Sequence, residues 1–291
     1  MIVETKRYQF GNYRDFLEQK VSEFLKQIPI ISLYKDDRVE QREDYIIQEK
    51  RIALYLNGHK LISTMSLPQE QDAYAVGFLM SEGVIETLGD IQSIEVSDDG
   101  LNVYVQSRIN QDNLDNLFNE KTLTSGCCVG VSANFEGKIV EKFISTPLSL
   151  SPQRLWTLVE KFSSSTDLFD KTGCVHKATL VFENDYELTS EDVGRHNAVD
   201  KVMGKARLQN LDTTYAILLV SGRLSMEMVI KAAMHDIAIV ISKSATTELG
   251  IKSAQLLGIT LVGFARDKRC NIYTHPQRIR DSKLTSDIAE I

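Results

Sequence analysis

The sequence predicts an α/β layered C-terminal part preceded by a smaller α+β part. Two patterns carry that expectation. From Tyr215 onward, apolar runs alternate with helical stretches. Tyr215 to Val220, Ile237 to Ile241 and Ile259 to Phe264 are apolar, and Ser225 to Met234 and Thr246 to Leu257 read as helices between them. Strands apolar on both faces and separated by helices belong to a parallel sheet covered on both sides. Before residue 110 the pattern is one of short strands and tight turns instead.

In chain order, Tyr45 to Leu56 reads as a strand, and Asn57-Gly58 is a type I′ hairpin signal returning into Lys60 to Met65. Ser66-Leu67-Pro68 is expected to open a helix with Tyr74, Phe78 and Leu79 on its apolar stripe. Ser93 to Val96 and Leu101 to Val105, joined at Ser97-Asp98-Asp99-Gly100, form a second hairpin. The polar stretch Asn110 to Thr122 marks a boundary, dividing the chain into residues 1–122 and 123–291. Ser151-Pro152 is an N-cap followed by proline at the first helical position, so Gln153 to Phe162 should be helical. Lys177 to Phe182 and Tyr186 to Thr189 make another hairpin. Asn197 to Arg207 reads as a helix with Val199, Val202, Met203 and Ala206 on one face.

Composition bounds the function. The 291 residues are 43% hydrophobic and 25% charged, as in a globular protein with a sizeable core. A net charge of −7 argues against a surface built for nucleic acid or anionic lipid. No apolar run reaches the roughly 20 residues of a membrane span, and the N-terminus has no signal-peptide pattern. A cytoplasmic location is therefore expected, with Cys127, Cys128, Cys174 and Cys270 as thiols. No two of them have C-x-x-C spacing, so no zinc site is expected.

Against the net negative charge, the strand ends of the C-terminal part are basic: Ser221-Gly222-Arg223, Ser242-Lys243-Ser244, and Phe264-Ala265-Arg266-Asp267-Lys268-Arg269. Ligands in open α/β sheets bind beyond the carboxyl ends of the strands, and helix starts there favour anions. A phosphate or pyrophosphate site is the better reading. The competing one is a solvated fringe partly paired with Asp267 or Glu227. The cluster Glu191 to Asp200, with Arg195 and His196, fits a wall of that site and a helix-capping network equally. His176 reads as a packed or hydrogen-bonded core residue rather than as a base for a thiol, and Cys174 and Cys270 read as small buried hydrophobes.

The loop Thr124-Ser125-Gly126-Cys127-Cys128-Val129-Gly130 carries the strongest chemical signal. Glycines flank the cysteine pair, which suits an exposed reactive thiol better than a buried one. Cys127 is the expected working residue. The part played by Cys128 is open.

Several segments together resemble the formate dehydrogenase accessory sulfurtransferases, the FdhD family. They are Asn57-Gly58, Val76 to Gly83, Thr124 to Cys127, Thr172 to His176, Glu191 to Lys201, Ser221 to Arg223, Ser242 to Ala245 and Val262 to Arg266. The resemblance implies a cytidine-deaminase-like layered C-terminal domain. It implies a carrier that takes sulfur from a cysteine desulfurase as a persulfide on Cys127. That sulfur passes to the molybdenum cofactor in its bis-molybdopterin guanine dinucleotide form, before insertion into the formate dehydrogenase catalytic subunit. Phe264, Ala265, Arg266, Asp267, Lys268 and Arg269 correspond to the family's cofactor segment, and Arg223 and Lys243 suit its pyrophosphates. A homodimer is expected. A cofactor-binding chaperone without sulfur transfer is the alternative, and a nucleotide-binding regulator is a third. Deamination is not expected, because the H-x-E and P-C-x-x-C halves of that zinc signature are absent.

Overall fold

The computed structural model describes residues 25–109, 122–123, 129–130, 142–164 and 166–280. Residues 110–121 and the pair Cys127-Cys128 lie outside the described residues.

Fourteen strands and six α-helices are described. A first hairpin, β1 (Leu25–Leu33) and β2 (Val39–Ile47), stands by itself as a two-stranded sheet. A four-stranded sheet of order β4-β3-β6-β5 follows. It comprises β3 (Lys50–Leu56), β4 (His59–Ser66), β5 (Ile91–Val96) and β6 (Asn102–Ser107). The expected single strand at Tyr45 to Leu56 is therefore two, broken at residues 48–49, and its halves join different sheets. The Asn57-Gly58 turn forms as predicted: both residues have positive φ, 48° and 82°, as a type I′ turn requires.

Helix α1 (Gln71–Ser81) starts later than Ser66-Leu67-Pro68 suggests. Ser66 ends β4, and its hydroxyl donates to Asp192 at 2.6 Å rather than capping the helix. Nor is α1 a one-faced helix, because every residue from Ala73 to Ser81 is buried. One side packs on the four-stranded sheet, in a core with Leu54, Leu56, Val103 and Val105. The other side meets a helix of the second core.

Two short strands, β7 (Thr122–Leu123) and β8 (Val129–Gly130), pair antiparallel on either side of residues 124–128. Beyond them, α2 (Pro152–Ser163) begins as expected, Ser151 Oγ accepting from the Arg154 N–H at 3.1 Å. Helix α3 (Asp167–Thr172) is short and ends at Gly173 in the left-handed region.

The main sheet has six strands in the order β10-β9-β11-β12-β13-β14. They are β9 (His176–Val181), β10 (Glu187–Asp192), β11 (Ile217–Val220), β12 (Ile239–Ser242), β13 (Thr260–Arg266) and β14 (Arg269–Ile272). The three apolar runs do pair in parallel, and β11 and β12 are buried at every position. The sheet as a whole is mixed, not parallel, because the hairpins β9–β10 and β13–β14 extend it antiparallel at both ends. Helices α4 (Arg195–Leu208), α5 (Met226–Met234) and α6 (Glu248–Leu257) supply Val199, Val229 and Ala254 to its core.

The two cores meet where α1 crosses α4. A Cβ on Gly77 would lie 1.8 Å from the Asp200 carbonyl oxygen, and one on Gly204 1.8 Å from that of Ala73. Backbone touches backbone there, and only glycine allows it. Around this crossing runs a buried polar seam. Lys201 Nζ lies 2.6 Å from Asp192 Oδ2, and both side chains are fully buried. Asp192 also accepts from the Leu67 N–H, the Gly194 N–H and Asn197 Nδ2. Lys231 Nζ bridges Asp200 at 2.9 Å and Glu82 at 3.3 Å. Burial alone would lower the Lys231 pKa, but the two carboxylates outweigh it and hold the ammonium above its ordinary value.

Candidate functional site

Strand directions decide what meets at the edge of the main sheet. Strands β11, β12 and β13 run parallel, so their carboxyl ends share one edge. β9 runs against β11 and begins at that edge, and β10 runs against β9 and ends there. The edge thus gathers His176, the Asp192-to-His196 turn, Ser221 to Arg223, Ser242 to Ser244, and the β13–β14 tip. The starts of α4, α5 and α6 lie at the same edge.

Hydrogen bonds tie these turns together. Ser242 Oγ donates to the Gly222 carbonyl at 2.7 Å and accepts from the Ser244 N–H at 2.9 Å. The Phe264 N–H donates to the Ser244 carbonyl at 2.9 Å, and the Leu224 N–H donates to that of Ala245. Each turn after a strand is held by the next one, which fixes where Arg223 and Lys243 leave the backbone. Arg223 is exposed and Lys243 half-buried.

The predicted cofactor segment is not a loop. β13 runs on through Arg266, with an irregularity between Gly263 and Arg266, and turns at Asp267-Lys268 into β14. Both turn residues have positive φ, 52° and 65°, so this is a hairpin tip of the I′ kind made without glycine. The tip exposes Arg266, Asp267, Lys268 and Arg269. Arg266 Nε is 3.6 Å from Asp267 Oδ2 in an exposed pair, which is worth little. Ala265 differs from its neighbours: its side chain is fully buried in the main core. Phe264 is half-buried, also at positive φ.

The Glu191-to-Asp200 cluster divides between its two readings. Asp192, Asn197 and Asp200 belong to the seam between the cores. The start of α4 is Gly194, with no side-chain cap. Arg195 instead lies at the edge, and His196 is buried in the first turn of α4. A Cβ on Gly222 would lie 2.9 Å from both Cβ and Cδ of Arg195, so the arginine stem lies across that glycine. His176 is half-buried and hydrogen-bonded, as one of its two expected readings has it. Its Nδ1 is 3.1 Å from Ser221 Oγ, which also accepts from the Lys177 N–H at 3.0 Å. Burial, then the neighbouring Arg195 cation, holds His176 below the ordinary imidazole value. His196 is pulled further, to about 3, by burial and then by Lys231, Arg195 and His176.

Three features carry no legible mark in the sequence. His176 meets Ser221 only because β9 pairs with β11 across 45 residues of chain. Cys174, read as a buried hydrophobe, is exposed just past the end of α3, while Cys270 is half-buried. His235 is fully buried, with Nε2 3.3 Å from Ser81 Oγ, and is likewise held to about 3 by burial and then by the Arg207 and Lys231 charges.

His196 and His235 predict acid lability. Each binds its proton in the unfolded chain near pH 6.5 but in the folded protein only near 3. Stability from each is therefore full above about pH 6.5 and falls with acidification across that window, by roughly 1.4 kcal/mol per pH unit per histidine. Melting temperature followed from pH 7 to 4.5 in wild type and His235→Gln should fall less steeply in the variant. Parallel curves would refute the assignment.

Comparison with known proteins agrees with the motif pattern. The family model for the FdhD/NarQ family matches residues 47–280. A "Sulfur carrier protein FdhD" of Wolinella succinogenes is 58% identical over 257 residues, covering 88% of this chain and 90% of that protein. A Bacillus subtilis protein of the same name is 34% identical over 251 residues, covering 85% and 95%. In three dimensions, a crystal structure from Desulfotalea psychrophila, provisionally described as a formate dehydrogenase accessory protein, superposes with a TM-score of 0.70. It is 25% identical and covers 88% of this chain and all of that one. With its matched span running through both cores and all the turns of the edge, this chain belongs to the FdhD/NarQ family.

Proposed function

We propose that the protein is a sulfur carrier serving formate dehydrogenase, and that Cys127 holds the sulfur as a persulfide received from a cysteine desulfurase. The observation that carries this reading is the 58% identity, across nearly the whole length of both chains, to a relative named as a sulfur carrier. The acceptor in this reading is the molybdenum cofactor carrying guanine dinucleotides. The edge supports it chemically, since Arg223, Lys243, Arg266, Lys268 and Arg269 offer cations to pyrophosphate, and arginine does so bidentately. The mixed sheet with β11 and β12 buried on both faces suits cytidine-deaminase-like layering of a C-terminal domain from residue 123, with residues 1–122 as the smaller domain.

In this mechanism the chain supplies a thiolate and a place to dock its cargo. The Cys127 thiolate attacks the terminal sulfur of the desulfurase persulfide. The desulfurase cysteine leaves as its thiolate, and the sulfane sulfur moves to Cys127 without net oxidation. The edge then holds the cargo by its phosphates while the reacting end faces Cys127. Incubation with a desulfurase, cysteine and a persulfide-selective label should mark the wild-type protein and leave Cys127→Ala unmarked. Equal labelling of Cys127→Ala would end the carrier assignment. If cells with Cys127→Ala kept full formate dehydrogenase activity, a chaperone without sulfur chemistry would replace it.

A further inference from the structure

We infer that the start of α5 forms a buried pocket for a phosphoryl group, built from Ser225, His196 and Arg195 and set apart from the exposed cations of the β13–β14 tip. The inference rests on the reading that the edge holds a phosphate-bearing cargo, and it says which residues grip one phosphoryl of it.

Two buried polar atoms at this edge have no hydrogen-bond partner. Ser225 precedes the first residue of α5, yet its hydroxyl does not cap the helix. It is 6% exposed, and its Oγ has no hydrogen-bond partner. His196, 5% exposed, stands in the first turn of α4 at the same edge, and its Nε2 is also buried without a partner. A buried group left in this condition costs about 1–3 kcal/mol, and folded proteins rarely keep one without use. Two from different helices, both at the ligand-binding edge of one sheet, are accounted for by a group that enters from outside.

The surroundings select the chemistry of that group. The free N–H groups at the start of α5 favour an anion. Ser225 offers an O–H. His196, kept neutral by its surroundings, offers an N–H from Nε2 in one tautomer without adding charge. Arg195 lies across Gly222, three residues before Ser225, and Arg223 stands exposed beside it. The one acid of the first α5 turn, Glu227, bears on Glu82 of the buried Lys231 triad. Asp192, the acid nearest the start of α4, is saturated by its seam donors. A tetrahedral oxyanion with several acceptor oxygens satisfies the serine, the histidine and the helix start together. A flat carboxylate has only two oxygens for those donors.

The test uses the full chain and inorganic pyrophosphate, titrated calorimetrically against wild type, Ser225→Ala and His196→Gln. Pyrophosphate should bind wild type and lose roughly tenfold in affinity in each variant. Ligand-free Ser225→Ala should melt at the wild-type temperature or above it, since it removes a hydroxyl that has no partner. A structural hydroxyl would give the opposite shift. Undiminished affinity in Ser225→Ala, or no binding to wild type, would overturn the pocket. A guanosine diphosphate arm separates the two readings. If pyrophosphate binding depends on Ser225 while the guanine moiety adds nothing, the pocket stands and the guanine cargo falls.

Discussion

Gly204→Ala should lose about 3 kcal/mol of stability, against the direction set by helix propensity. In an ordinary helix the same change gains up to about 1 kcal/mol. Here the new methyl would sit 1.8 Å from the Ala73 carbonyl oxygen and 2.9 Å from the Gly77 nitrogen. Neither is the end of a flexible side chain, so α1 and α4 must move apart. Separation would loosen the packing on both sides, because α1 is buried all round. Urea unfolding should show the midpoint falling with little change in slope. A loss below about 1 kcal/mol would mean that the helices part freely and that the crossing does not hold the cores together.

Asp192→Ala should be comparably severe, costing about 3–5 kcal/mol, because it strands the Lys201 ammonium where no water reaches. Lys201 would keep only the Leu67 carbonyl, at 3.1 Å. The serine, the two backbone N–H groups and the Asn197 amide that now converge on Asp192 would also lose their acceptor. Asp192→Ala combined with Lys201→Met should be more stable than Asp192→Ala alone, since the charge is then gone too. A double variant no better than the single would show that the lost acceptor, and not the stranded charge, dominates. Equilibrium urea unfolding of the three proteins decides it.

Local signals in the sequence are legible where local chemistry determines the outcome. Asn57-Gly58 turned as its residues require, and Ser151-Pro152 started α2. The runs at 215–220, 237–241 and 259–264 supply the three parallel strands, two of them buried at every position. Non-local pairing was harder to read. Nothing in the composition of residues 176–192 says that this hairpin joins the main sheet antiparallel, and without that neither His176 beside Ser221 nor the full edge can be drawn. The cationic turns were legible as a rim, yet the extension of β13 through Arg266 and the burial of Ala265 were not. Those depend on a two-residue turn without glycine, which carries no sequence mark. The motif Glu191 to Lys201 misleads for a physical reason. Buried ion-pair seams and active sites draw on the same residue types, and only the identity of their partners separates Asp192 and Lys201 from Arg195 and His196.

The seam also constrains how such a chain can drift. Asp192, Asn197, Asp200 and Lys201 come from the later part of the chain, and Ser66, Leu67, Ser81 and Glu82, which meet Asp192, Lys201, Asp200 and Lys231, come from the earlier part. A substitution on one side leaves a charge or a donor stranded on the other, so tolerated changes must arrive in matched pairs. The two glycines add a steric lock of the same kind, since neither helix can acquire a larger residue at the crossing unless its partner retreats. The halves of this protein are thus bound to vary together, and grafting one onto a foreign partner would demand rebuilding the joint residue by residue.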